Sequence, residues 1–224
     1  MAPSATLPGP GGSWLRACCA LWLALHVLAG GAWDRQRMQA AAQRMGPEAM
    51  AGAQALQRAI AASSRLGEAA RLGAINQFFN ARIQYAEDLD TSGEQDRWDS
   101  PLELLARGAG DCEDFAIAKY FSLIAAGTPS ASLRLVYVRV QRSGGTQPHM
   151  VLAWYAQPSA EPLILDNLVR EVLPAAARRD LVPVFSFNAE GLWQGAGPER
   201  AGDASARLSR WREVLARARA EGFA

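Results

Sequence analysis

Residues 110–127 read GDCEDFAIAKYFSLIAAG. The stretch begins with glycine and with acidic residues around a single cysteine, continues with apolar residues at helical spacing, and ends at Gly127. Acidic residues in a first turn favour the positive end of a helix dipole, and glycine commonly follows the last turn. The pattern predicts an α-helix with one buried face and with Cys112 at its N-terminus.

The segments before this helix are also helical in pattern. Residues 35–60 are rich in alanine and are interrupted by a glycine–proline pair at 46–47, which should end one helix and open the next. Residues 66–85 repeat apolar side chains at intervals of three and four, and residues 101–108, PLELLARG, should form a short helix. The polar and acidic residues 86–101 predict a surface loop.

The segments after the helix are typical of β-strands. Strand-like runs occur at 133–140, 149–155 and 162–168, and short turn-rich links between them favour an antiparallel meander. Residues 181–193 predict a further short strand and turn, and the arginine-rich residues 207–222 predict a C-terminal helix. Helices followed by a meander and a final helix indicate an α+β domain.

The first 32 residues differ from the rest. Arg16 precedes 16 residues, at 17–32, that contain no Asp, Glu, Lys or Arg and end in small residues. This run is short for a membrane span, which needs about 20 apolar residues, and is typical of a secretory signal. We therefore expect residues 1–32 to be a signal peptide, or an uncleaved N-terminal anchor, and residues 33–224 to be a single exported domain.

Removal of the signal would leave a neutral protein with one thiol. Arg16 is the only charged residue lost, so 22 basic and 22 acidic residues remain. A neutral balance argues against nucleic acid as a partner, because such binding requires a clustered basic surface. Only Cys112 and His149 remain of their kinds, so no internal disulfide can form.

Cys112, His149 and Asp166 are candidates for one catalytic site. Cys112 opens a helix, whose N-terminus favours a thiolate, and His149 opens one predicted strand while Asp166 lies near the end of the next. An imidazole can accept the thiol proton, and a carboxylate can orient the ring. The Cys112 amide, with a side chain from 95–98, could stabilise an oxyanion. Zinc is a poor alternative, because it requires three or four such ligands.

The acidic residues beside Cys112 have two explanations. Asp111, Glu113 and Asp114 would raise the pKa of the thiol, unless a bound cation such as calcium cancels their charge. They could instead cap the helix and favour its dipole. Further oxygen ligands could come from the predicted surface loop, where the candidates are Asp88, Asp90, Glu94 and Asp96.

Several motifs occur together between about residues 33 and 193: INQFFNARIQY, DRWDSPLELLARGAGDCEDFAIAKYFSL, LRLVYV, HMVLAWY, LILDNL and PVFSFNAEGLW. In this combination the chain resembles the bacterial transglutaminase-like cysteine proteinases, and among them the LapG-type periplasmic proteases that release biofilm adhesins. The resemblance places the nucleophile, histidine and aspartate of the family on Cys112, His149 and Asp166. It also places calcium ligands on Asp111, Glu113 and Asp114.

The resemblance implies a papain/transglutaminase-like core and a calcium-dependent cysteine endopeptidase. The implied substrate is the N-terminal region of a large surface adhesin, cut near a pair of alanines, and the implied regulator is an inner-membrane cyclic-di-GMP receptor with a periplasmic domain. The same site could instead perform transglutaminase or amidase chemistry, if an amine attacks the acyl-enzyme. A non-catalytic, calcium-dependent protein-binding module is the remaining alternative.

Overall fold

The computed structural model describes residues 33–87 and 96–223, together with Met1. The predicted signal segment, apart from Met1, and residues 88–95 of the predicted loop 86–101 lie outside the described residues. The helices of the described part are α1 (Arg35–Met45), α2 (Pro47–Ser63), α3 (Glu68–Arg82), α4 (Pro101–Arg107), α5 (Cys112–Ala125), α6 (Ala204–Arg207) and α7 (Ser209–Ala220). Among these described residues, no helix combines the length and apolar character that crossing a bilayer requires.

The strands in the described ranges form one large antiparallel sheet and one small parallel pair. The strands are β1 (Gln84–Tyr85), β2 (Ala109–Gly110), β3 (Leu133–Arg142), β4 (Gly145–Trp154), β5 (Leu163–Leu165), β6 (Leu173–Pro174), β7 (Leu181–Phe187), β8 (Leu192–Gln194) and β9 (Arg200–Gly202). The large sheet has the order β6-β5-β4-β3-β7-β8-β9, and β1 pairs with β2 in parallel. The predicted α+β class, with helices packed on an antiparallel sheet and a helix at the C-terminal end, is confirmed.

The core lies between the helices and the inner face of the large sheet. Inner-face residues such as Leu135, Leu152 and Phe187 are fully buried together with apolar residues of α2, α3 and α5. Trp211 of α7 is also fully buried, and its ring stacks on Phe121 with centroids 5.9 Å apart. The helix α5 is therefore enclosed by the sheet on one side and by other helices on the rest, which fixes the position of its N-terminus.

The structure differs from the sequence prediction at one hairpin and at three short strands. The strands β3 and β4 are each ten residues long and meet at a turn of residues 143–144, whereas the predicted link extended over residues 141–148. These extra strand residues are mostly exposed and polar, so they lack the alternation that marks a half-buried strand. The short strands β6, β8 and β9 have two or three residues each, which is too few to produce a periodic pattern.

The two ends of the described domain are joined near the start of α4. Trp33 forms an antiparallel bridge with Phe223, and the Asp34 amide donates to the Gly222 carbonyl at 2.6 Å. The buried Glu221 accepts a hydrogen bond from the Leu102 amide at 3.1 Å. These contacts hold the N-terminus of α4 and, with it, the segment 96–100 that lies against α5.

Candidate active site

The N-terminus of α5 is held by a carboxylate bonded to two backbone amides. Asp111 and Asp114 form a reciprocal capping box, in which the Asp114 carboxylate accepts the Asp111 amide at 3.3 Å. The same carboxylate accepts the Asp99 amide at 2.7 Å, and Asp114 is fully buried. Gly110 allows this close approach, because a Cβ there would lie 2.6 Å from both Asp114 Oδ2 and a Leu104 methyl carbon. The fixed loop presents Cys112 as the first residue of the helix.

The Cys112 thiol lies between an acidic side chain and strand β4. Its Sγ atom donates to Glu113 Oε2 at 3.0 Å, and the Met150 backbone also hydrogen-bonds to the sulfur. Burial raises the pKa of the thiol far above its usual range, and the charges of Glu113 and Asp111 raise the pKa further. The thiol form of Cys112 is therefore favoured by this arrangement of side chains.

His149 and Asp166 are hydrogen-bonded neighbours on adjacent strands. His149 belongs to β4, Asp166 directly follows β5, and His149 Nε2 lies 2.8 Å from Asp166 Oδ1. Both side chains are buried. With Nε2 bonded to the carboxylate, the other ring nitrogen, Nδ1, is the one that can exchange a proton with a substrate or a thiol.

The Asp166 carboxylate is held ionised by its hydrogen-bond partners. Burial alone would raise its pKa, but the bond and charge of His149, the Leu168 amide and Arg178 outweigh burial and lower the pKa to about 2. The Leu168 amide donates to Oδ1 at 3.1 Å, and Arg178 Nη1 donates to Oδ2 at 2.7 Å. The ionised carboxylate can stabilise a protonated His149 ring.

Cys112 and His149 line the same surface cavity, which has a volume of about 570 Å³. The other lining residues are the acidic Glu87, Asp96, Asp111 and Glu113, the aromatic Tyr85, Trp98 and Tyr137, and Gln147, Pro148 and Met150. The cavity is large enough for several residues of an extended peptide, and its mixed lining of aromatic and polar groups is typical of a binding site. Asp166 lies behind His149 and is not part of the cavity wall.

Oxygen atoms that could bind a hard cation cluster at one side of the cavity. The potential ligand atoms of Asp111, Cys112 and Glu113 all lie within 4.8 Å of one another. Burial raises the pKa of Glu113, and the charge of Asp96 raises it further, so Asp96 is close enough to act on the same cluster. Carboxylate oxygens suit calcium, whereas the single thiol does not, and the donor set therefore fits a hard cation.

The structure brings the sequence-predicted residues together in part. Cys112 and His149 share a cavity, and His149 bonds to Asp166, but their assignment as nucleophile, base and orienting acid stays a prediction. Of the predicted loop ligands, Asp96 lies at the cavity, while Asp88, Asp90 and Glu94 lie outside the described residues. In the predicted oxyanion segment, Gln95 is outside the described residues, and the Trp98 indole donates to Asp96 Oδ1 at 3.0 Å.

The residues that hold Asp166 on the side away from the cavity were not evident from the sequence. Arg178 bonds to Asp166, Asp180 holds Arg178, and Asn80 of α3 donates to the Asp166 carbonyl at 2.7 Å. The only sequence signal was the charged triplet at 178–180, which follows three alanines and resembles an ordinary solvated turn. The partners of this triplet come from distant positions and are therefore not evident in the local sequence.

Comparisons with known proteins identify a family and a set of solved structures to which the chain is similar. The model of the family described as bacterial transglutaminase-like cysteine proteinase matches residues 48–181, a range that includes Cys112, His149, Asp166 and Arg178. No curated protein matches the sequence.

Solved structures of LapG from Legionella pneumophila are similar to the chain. One is 39% identical over 83% of this chain and 97% of that chain, with a TM-score of 0.71. An EGTA-treated form of the same protein has 39% identity, the same coverage and a TM-score of 0.73. A calcium-bound form has 40% identity, covers 82% of this chain and 98% of that chain, and has a TM-score of 0.70. These matches confirm the predicted transglutaminase-like cysteine protease fold.

Proposed function

The chain belongs to the bacterial transglutaminase-like cysteine proteinase family, and from this premise we propose that it is an endopeptidase with Cys112 as its nucleophile. The observation that carries the proposal is the shared cavity of Cys112 and His149, with His149 bonded to the ionised Asp166 at 2.8 Å. A thiol, an imidazole and a carboxylate in this order supply a nucleophile, a general base and an orienting group.

In the proposed first half-reaction, the Nδ1 atom of His149 takes the proton of the Cys112 thiol. The sulfur then adds to the scissile carbonyl carbon, and the carbonyl oxygen becomes an oxyanion. The backbone amide of Cys112, at the N-terminus of α5, is suited to donate a hydrogen bond to that oxyanion. As the C–N bond breaks, His149 returns its proton to the leaving amine, and a thioester remains on Cys112.

In the second half-reaction, His149 removes a proton from water, and the resulting hydroxide attacks the thioester. The C–S bond breaks, the sulfur regains a proton from His149, and a carboxylic acid leaves. Asp166 stabilises the protonated ring in both steps, because its carboxylate is ionised at neutral pH. An amine in place of water would give the transglutaminase or amidase reaction.

We further propose that the protein depends on calcium, held by carboxylates of Asp111, Glu113 and Asp96. The clustering of these oxygens supports the proposal, as does the calcium-bound form of the similar LapG. A bound cation would supply positive charge that offsets the acidic residues beside the thiol. Asp114, which the resemblance also placed among the ligands, accepts two backbone amides, and we assign it the task of fixing the loop.

The proposed setting and substrate depend on sequence resemblance. The charge-free segment 17–32 after Arg16 supports export to the periplasm. Family resemblance supports an adhesin N-terminal region with paired alanines as the substrate, release of that adhesin with dispersal of a biofilm as the result, and a cyclic-di-GMP receptor of the inner membrane as the regulator.

The proposal is tested by incubating the purified domain with an adhesin N-terminal fragment that contains paired alanines. We expect the wild type to clip the fragment in calcium, and we expect no product from Cys112→Ala or in excess EGTA. A fluorescent primary amine is added to a parallel reaction. Its incorporation into the fragment without cleavage would replace the protease by a transglutaminase.

A second measurement tests the site itself, independently of any substrate. Iodoacetamide should alkylate Cys112 of the folded protein in calcium, and His149→Ala should slow the reaction by about tenfold or more. A thiol that reacts only after denaturation in urea would support the binding-module alternative and would contradict catalysis.

A further inference from the structure

Asp166 is in contact with more than the histidine that it orients. Its Oδ1 atom faces His149 and the Leu168 amide, while its Oδ2 atom accepts Arg178 Nη1 at 2.7 Å. The Arg178 side chain is only 4% exposed. One carboxylate oxygen thus serves the imidazole, and the other is held by a buried guanidinium.

Arg178 is in turn fixed by a second carboxylate. Its Nε and Nη2 atoms donate to Asp180 Oδ1 and Oδ2 at 3.0 and 2.8 Å, in a bidentate pair. A bidentate arginine pair defines the plane of the guanidinium as well as its position. The plane of Arg178 is therefore set by Asp180, and Nη1 is aimed at Asp166 independently of His149.

The charged groups around Asp166 come from several elements. They are His149 of β4, Arg178, Asp180, whose negative charge repels that of Asp166, and Lys119 of α5, whose fully buried side chain acts on Asp166 through its charge. Burial lowers the pKa of Lys119 to about 7, so this residue is a partial cation near neutral pH. Arg178 is the one of these groups that bonds directly to the carboxylate and that stays charged at every working pH.

We propose that Arg178 is a positioning residue of the active site, which fixes the Asp166 carboxylate and moderates how strongly that carboxylate attracts a protonated His149. This inference rests on the proposed cysteine protease function. A carboxylate that shares its charge with a guanidinium stabilises an imidazolium less than a free carboxylate does. Arg178 therefore fixes the carboxylate that orients the ring and shares the charge with which that carboxylate attracts the ring.

The test compares Arg178→Gln with Arg178→Lys and with a matched control, Arg134→Gln. Arg134 is a similarly buried arginine of the sheet, 5% exposed, which bonds to the Gly197 carbonyl at 2.8 Å and lies over the Trp193 ring. Its removal takes a buried guanidinium from the same domain without changing the surroundings of Asp166. Each variant is assayed for peptide cleavage and for Cys112 alkylation across pH 5–10, roughly the window in which imidazoles and thiols titrate.

For Arg178→Gln we expect kcat to fall about tenfold with little change in KM, because orientation of the base is lost and substrate binding is not. We also expect the acid limb of the rate profile to move up by roughly half a pH unit, since His149 must be neutral to take the thiol proton and its protonated form then faces an unshared carboxylate. Arg178→Lys keeps the charge and should restore the position of the limb. Arg134→Gln should lower the melting temperature without moving the limb.

Two results would overturn the inference. One is an Arg178→Gln protein with wild-type kcat and limb, and the other is a limb shift in Arg178→Lys as large as in Arg178→Gln. If Arg178→Gln fails to fold, Arg178→Lys decides the question. A lowered kcat with an unmoved limb supports the inference, because lysine keeps the charge but cannot form the bidentate pair with Asp180. A wild-type kcat or a moved limb contradicts it. Failure of the proposed function gives a different result, in which wild-type alkylation does not depend on His149 at all.

Discussion

Cys112 has neighbours that oppose its proposed chemistry. A nucleophilic cysteine requires a thiolate, yet Glu113 accepts the thiol hydrogen bond at 3.0 Å, and Asp111 adds a second negative charge. Burial raises the pKa of the thiol still further. The helix dipole and one imidazole act against three unfavourable effects, so the site requires a compensating positive charge. This requirement is a physical argument for a cation at the acidic cluster.

The acidic cluster can be tested one carboxylate at a time. We expect Asp111→Asn and Glu113→Gln each to weaken calcium binding by about tenfold or more, because each removes a charged oxygen ligand from a hard cation. Isothermal titration with calcium measures the affinity directly. Glu190→Gln, which removes one negative charge from the 188–191 turn remote from Cys112 in sequence, should bind calcium as the wild type does.

Asp114→Asn provides a second comparison in the same titration. Its carboxylate accepts the amides of Asp99 and Asp111, so we expect a lower melting temperature and a smaller loss of calcium affinity than in Glu113→Gln. Equal affinity for calcium in all four variants would contradict the assignment of the ligands to this cluster.

Single residues differ in how far the sequence reveals them. Cys112 and His149 could be identified because no other cysteine or histidine would remain after removal of the signal, and Asp166 because it lies near the end of the predicted strand that follows that of His149. Arg178 and Asp180 could not be identified from the sequence, since arginine and aspartate are frequent and their role at this site depends on their burial. Burial of a turn residue by distant elements is not visible in local sequence.

At the scale of elements, the site lies where the N-terminus of α5, with Cys112, meets strand β4, with His149. Gly110 precedes the helix at a position with no room for a side chain, because a Cβ would lie 2.6 Å from Asp114 Oδ2. Gly108, two residues earlier, ends α4 with a φ of +72°, and a Cβ added there would meet no atom within 4 Å. The two glycines therefore serve different purposes, one for space and one for backbone conformation.

This difference predicts separate effects for the two alanine variants. Gly110→Ala should push the Asp114 carboxylate from the Asp111 amide and lower the free energy of unfolding by about 2–3 kcal/mol, as overpacking commonly does. Gly108→Ala should cost about 1 kcal/mol for the left-handed backbone alone. Urea unfolding measures both. The rate of Cys112 alkylation should change in Gly110→Ala and should be nearly that of the wild type in Gly108→Ala.

The opposite order would refute this account of the loop. If Gly108→Ala altered alkylation more than Gly110→Ala did, the conformation of the α4 end, and not the space beside Asp114, would determine the position of the thiol.

Helices and strands were predictable from the sequence where the apolar periodicity extends over many residues. The helices α2, α3 and α5 and the inner parts of β3 and β4 follow clear apolar periodicity, and a glycine–proline pair marks the boundary between α1 and α2. The parallel pair β1–β2 has two residues in each strand, and its partners are about 25 residues apart. Such a pairing depends on how α4, which lies between the two strands in the sequence, packs in the fold, and it has no local sequence signature.

At the scale of the whole domain, the C-terminal segment closes onto the helix that precedes the active-site loop. Glu221 is 5% exposed and bonds to Ser100 and to the Leu102 amide, at the start of α4. The Ser100 hydroxyl also lies 2.8 Å from Glu103 Oε2. One hydroxyl proton cannot serve two carboxylates, so this contact is satisfied best when Glu221 carries a proton and donates it to Ser100.

Glu221 should therefore make the stability of the domain depend on pH. Burial raises the pKa of Glu221 from 4.5 to about 7 in the folded state. Between these values the folded protein holds a proton that the unfolded chain has lost, so stability falls as the pH rises from about 4.5 to 7, by up to about 3 kcal/mol. Glu221→Gln, which is neutral throughout, should lack this contribution.

Urea unfolding of the two proteins at a series of pH values measures the effect as a difference, in which the contributions of all other groups cancel. We expect the free energy of unfolding of Glu221→Gln, relative to the wild type, to increase steadily from pH 4.5 to pH 7. Only the wild type has a buried carboxyl group that resists ionisation in the folded state, so only the wild type loses stability over this range. Glu213→Gln, on the exposed face of α7, should follow the wild type at every pH. Parallel curves for Glu221→Gln and the wild type would mean that Glu221 ionises without cost, and that the join between the chain ends does not depend on its proton.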